Sequence, residues 1–91
     1  MAVTIRIPTQ LRALAGGAGE VSVEAATVSD ALKALNAQHA GFDERLFDDK
    51  GELRRFVNVF VADEDIRFMQ GVDTPLDDGS VVSIIPAVAG G

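Results

Sequence analysis

The stretch whose residue types and spacing admit chemistry is the last six residues, Pro86-Ala87-Val88-Ala89-Gly90-Gly91. Glycine carries no side chain, so Gly90 and Gly91 can lie in a channel that any Cβ would block. Ala87, Val88 and Ala89 are small enough to follow. Proline lacks a backbone donor and suits the end of a strand, which assigns residues 1–86 to a folded body and 87–91 to a tail. Fully extended, Ala87 to Gly91 would reach roughly 16 Å past the body. Such an arm could offer the Gly91 carboxylate to another protein's cleft. The competing reading is a frayed terminus, the common fate of chain ends. The rest of the chain has to separate the two.

That body is one domain. The 91 residues of the chain are 47% hydrophobic and 24% charged, a balance that suits a packed fold and argues against disorder. With no cysteine there is no disulfide, thiolate metal site or cysteine nucleophile. No stretch has the length of a membrane span and the start lacks a leader's apolar run, so a soluble, cytoplasmic protein is expected. The net charge is −6. Up to Gly41 acids and bases number three each, while from Phe42 onward eleven acids face five bases. An excess of acid in the half that bears the tail disfavours nucleic acid and favours a protein partner with a basic docking face, unless it serves solubility alone.

Local patterns supply the elements that hold the tail. Val3, Ile5 and Ile7 alternate with polar residues up to Pro8, and Val21 and Val23 alternate after the turn Gly16-Gly17-Ala18-Gly19, which predicts a hairpin. The glycine cluster lacks the Lys-Ser/Thr of a phosphate loop. Thr27-Val28-Ser29-Asp30 reads as a capping box opening a helix with Val28, Leu32, Leu35 and His39 on one face and Gly41 as its stop. His39, the only histidine, has no partner at catalytic or ligand spacing and reads as structural. Phe42, Leu46 and Phe47 are expected to fold back onto the core.

The strongest strand signal is Phe56-Val57-Asn58-Val59-Phe60-Val61, apolar on both faces. Val57, Val59 and Val61 would meet the helix, leaving Phe56 and Phe60 either in a buried central strand or in an exposed aromatic patch. Asp63-Glu64-Asp65 is expected to be a solvated turn, lacking the glycine and distant glutamate of a calcium loop. Ile66-Arg67-Phe68 is expected to be a short strand. Asp78-Gly79 then turns the chain into a last strand, Ser80 to Ile85. One helix cannot cover both faces of a sheet, so the class is α+β, with a mixed four- to five-stranded sheet in the β-grasp order and a last strand running into the tail.

This β-grasp order, the Asp78-Gly79 turn and the Gly-Gly ending resemble the ubiquitin-like sulfur carriers of the MoaD/ThiS family over essentially the whole chain. Phe56 to Val61, the acidic turn, Ile66-Arg67-Phe68, and the start Val3-Thr4-Ile5 with Leu11-Arg12 look closest to the CysO-type branch of cysteine biosynthesis. The resemblance implies a carrier with no catalytic residues, metal or bound cofactor of its own. An E1-like adenylyltransferase/sulfurtransferase would use ATP and Mg to adenylate Gly91 and leave a thiocarboxylate, with Gly90, Ala89, Val88 and Ala87 threading the partner's channel. A PLP-dependent cysteine synthase using O-phosphoserine would take the sulfur, and a zinc metalloprotease would release the cysteine. Phe56, Phe60 and Phe68 would form a docking patch.

Four alternatives stay open on sequence. The same chemistry serves the small subunit of molybdopterin synthase and the thiamin-thiazole carrier. A protein modifier would instead form isopeptide bonds, and a non-covalent interaction module would not use the tail. No Ser/His/Asp set or metal cluster argues for an autonomous enzyme.

Overall fold

The computed structural model describes residues 1–86; the tail residues 87–91 of the sequence reading lie outside them. Five strands form one sheet: β1 (Ala2–Arg6), β2 (Glu20–Glu24), β3 (Val57–Val61), β4 (Glu64–Asp65) and β5 (Val81–Pro86), in the order β2-β1-β5-β3-β4. β5 is central, parallel to β1 and antiparallel to β3, as the β-grasp arrangement requires. Two helices, α1 (Val28–Gln38) and α2 (Phe42–Leu46), complete the regular structure, with 3-10 turns at Thr9–Ala15, Ile66–Phe68 and Gly71–Asp73.

Alternation decides what each strand buries. Val3 and Ile5 of β1, Val21 and Val23 of β2, Val57, Val59 and Val61 of β3, and Val82 and Ile84 of β5 all face the helix and are buried. From α1 the stripe Val28, Ala31, Leu32 and Leu35 meets them, and Phe42 and Leu46 of α2 close the core from the side. The Thr27 hydroxyl accepts from the Asp30 N–H at 3.2 Å, so the predicted cap is present. α1 ends at Gln38 and His39 follows as its cap residue, its N–H donating to the Leu35 carbonyl. At Gly41 the chain turns with φ 110°, and a Cβ there would stand 3.1 Å from Leu14 Cδ2, so only glycine fits. The parallel β1–β5 pair is fastened at its start by Asp78, whose Oδ1 accepts from Ala2 N–H at 2.9 Å, and by Gly79 N–H, which donates to the Ala2 carbonyl at 2.8 Å.

One sequence expectation shifts. The short strand is Glu64–Asp65, not Ile66–Phe68, and the turn is the pair Ala62-Asp63. Asp65 Oδ1 accepts from the Arg67 N–H at 2.8 Å, which bends the chain into a 3-10 turn and buries Ile66. Ala62 and Asp63 adopt φ 52° and 68°, the two-residue hairpin geometry for which Asn-Gly is the usual solution. Alanine there is strained by about 1 kcal/mol. Ala62→Gly should therefore raise stability by about 0.5–1 kcal/mol, less than the full strain because glycine also loses more unfolded-state entropy. A melt that moves down on this substitution would refute the reading of the turn.

Candidate functional site

Among the described residues no helix covers the second face of the sheet. There β5 presents Val81, Ser83 and Ile85, β3 presents Asn58 and Phe60, and β1 presents Thr4 and Arg6. Val81 and Ile85 are 40% and 48% exposed, and Phe60 is half-buried beside them, opposite Ser83. The two-sided strand thus resolves as a partly open aromatic and aliphatic surface on the face away from α1.

Strand directions locate the root of the tail. β5 ends at Pro86, which sits opposite Val57, the first residue of β3. Arg54, Arg55 and Phe56 immediately precede Val57, so they share that end of the sheet. Since β1 runs parallel to β5 and Arg6 pairs with Ser83, Arg6 lies toward the same end. The turn after β4 brings the Arg67 side chain there as well. The Arg67 guanidinium donates to the Val57 carbonyl at 2.7 Å, the Arg54 carbonyl at 3.3 Å and the Asn58 side chain, with Asp65 at 3.9 Å. β4 covers only Phe60 and Val61, so this guanidinium takes over the edge of β3 that β4 leaves unpaired.

Beside the root, Arg6, Ile7, Arg12, Gly19, Glu20, Ser83 and Ile85 line a cleft of about 650 Å³. Arg12 Nε donates to the Ile7 carbonyl at 3.0 Å, which fixes that guanidinium at the wall. Arg6 faces Glu20 at 3.9 Å, a solvated pair that leaves most of its charge available.

The sequence candidates fall into three groups. Phe56 and Phe68 are 64% and 84% exposed, Phe56 at the tail's end of the sheet beside Val57 and Phe68 in the 3-10 turn after β4. Phe60 lies on the open face. Ala87, Val88, Ala89, Gly90 and Gly91 are outside the described residues. Sequence reasoning missed Val81 and Ile85 as open surface, although their alternation with Val82 and Ile84 carried the signal. It also missed the cleft and the Arg67 clasp, which depend on register and have no local signature. Among the described residues no three His, Asp or Glu are placed to hold a metal ion, and no helix is long and apolar enough to cross a membrane.

Comparison with known proteins agrees with this architecture. The sequence pattern of the ThiS family matches residues 5–91. The sulfur carrier protein CysO of Mycobacterium tuberculosis is 47% identical over 93 residues, covering all of both chains. Its crystal structure superposes with a TM-score of 0.89 over 94% of this chain and 99% of that one. A chain of the BexX/CysO complex from Amycolatopsis orientalis is 44% identical with a TM-score of 0.91, over 98% of this chain and 99% of that one. Small archaeal modifier protein 3 of Haloferax volcanii is 44% identical over 66 residues, 72% of this chain and 71% of its own. With a β-grasp body centred on β5 and the family pattern spanning residues 5–91, the chain belongs to the ThiS family.

Proposed function

We propose that this chain is a sulfur carrier that delivers sulfide for cysteine synthesis from O-phosphoserine, through a thiocarboxylate at Gly91. The observation that carries the reading is full-length similarity to a sulfur carrier protein, joined to a central strand whose end feeds directly into the Gly-Gly segment. An α-carboxyl titrates near about 3.5, so at neutral pH Gly91 presents a carboxylate, which is a poor electrophile. The carboxylate oxygen attacks the α-phosphorus of ATP in an E1-like partner that holds Mg, and pyrophosphate leaves. A sulfur donor then attacks the acyl carbon and AMP leaves, giving the thiocarboxylate.

The carrier's own residues supply presentation. The sheet holds Pro86 in register with Val57, while Phe60, Val81 and Ile85, with Phe56 at the root and the exposed Phe68 after β4, offer apolar surface for the partner to grip. A PLP-dependent cysteine synthase would receive the sulfur, and a zinc metalloprotease would cut cysteine from the carrier. The body itself performs no catalysis in this scheme.

The test is the intact mass of the protein purified from its native host. One oxygen exchanged for sulfur, mapped to Gly91, is the expected result; a carboxylate in every preparation, with no ATP–pyrophosphate exchange, would overturn it. Similarity to an archaeal modifier favours a second reading, conjugation to lysines. High-mass conjugates that survive reducing denaturation would support that one.

A further inference from the structure

Read along the sequence, the tail belongs to the acidic half of the chain. Folding reverses this. Arg6, Arg54, Arg55 and Arg67 gather on the strand ends where β5 gives way to the tail, and Arg12 joins them across the cleft. Glu20 and Asp65 each sit 3.9 Å from one of these arginines, and Arg54 Nε also donates to the Glu44 carbonyl at 3.1 Å, which sets the acidic residues of α2 beside it. At the opposite end of the sheet the turns and strand ends carry Glu24, Asp63, Glu64, Asp77 and Asp78. Within the sheet, the strand ends around Pro86 thus carry an excess of arginine and the opposite ends carry acids.

We propose that this basic pole docks on an acidic rim around the opening that receives the tail in the partner enzyme. The inference rests on the carrier reading above. It also reverses the basic docking face expected from the linear charge distribution, because the surface that meets the partner is set by strand register. Charge complementarity at a rim acts mainly on encounter and orientation, so a tail threading end-on would be steered root-first. The acidic far pole would be repelled by the same rim, which discriminates against the inverted approach.

The test is ATP–pyrophosphate exchange with the adenylating enzyme that activates the wild-type chain, at ~50 mM and ~500 mM salt. Arg6→Gln with Arg55→Gln removes two charges from the pole, and neither side chain hydrogen-bonds to a described residue. Lys33→Gln with Lys50→Gln removes the same charge from the helix side, where both lie on or next to the wall of a second cleft. For the arginine pair KM for the carrier should rise about 5–10-fold at low salt with kcat unchanged, and the difference should vanish at high salt. The lysine pair should stay within about twofold. Equal effects of the two pairs, or no effect of either, would overturn the docking inference while leaving the carrier reading intact. Absence of exchange with the wild-type chain would overturn both.

Discussion

Deleting Gly91 should abolish sulfur loading and leave the melting temperature unchanged. In the proposed reaction the reacting atom is the terminal carboxyl carbon, and deletion leaves Gly90 as a competent glycine carboxylate. It also leaves that carbon about 3.5 Å short of its place, one residue of extended chain. Misplacing reacting groups by even 1 Å can cost about 100-fold, so a loss beyond detection is expected. Gly91→Ala keeps the reach and adds one Cβ, which tests the narrowness of the channel instead. Neither change touches the body, because β5 ends at Pro86 and its last register partner is Val57. Thiocarboxylate appearing at the normal rate in the deletion variant would remove Gly91 from its assigned role.

The second large effect is on stability. Phe42 opens α2 with no exposed surface, packed into the core that α1 and the sheet also line. Phe42→Ala should cost about 3–5 kcal/mol in lost burial and residual cavity. A domain of this size holds roughly 5–14 kcal/mol in total, so this single change consumes a large share. At about 4–8 °C per kcal/mol the melt should fall by roughly 15–30 °C, read by far-ultraviolet circular dichroism. Phe68→Ala, at a position 84% exposed, should shift it by no more than a few degrees. Comparable shifts for the two variants would overturn the division of the phenylalanines between core and surface.

That division marks where sequence reasoning reaches its limit. Period 3.6 in Val28, Leu32 and Leu35 and period 2 in Val3 to Ile7 are local signals, and both elements form where those patterns place them. The β-grasp order was legible too, because one amphipathic helix among alternating strands leaves few arrangements. β4 was displaced because its turn uses two non-glycine residues at positive φ, which no composition rule anticipates. The face of Phe60 followed from alternation, yet its exposure depended on nothing packing over it. The gathering of Arg6, Arg55 and Arg67 could not be read at all: they come from three separate strand ends and meet only once register is set.

The pairing of β1 with β5 joins the first strand of the chain to the last, and β5 alone links the β1–β2 hairpin to β3 and β4. Contacts so distant in sequence form late and slowly during folding. Without β5, the strand order leaves the pairs β2-β1 and β3-β4 with open edges. The same event that completes the body anchors the segment bearing Gly91. An activating enzyme that grips the assembled face would therefore meet a correctly rooted carboxylate only on a finished molecule. In the role proposed for Gly91, the strand order makes presentation of the carboxylate depend on a completed sheet.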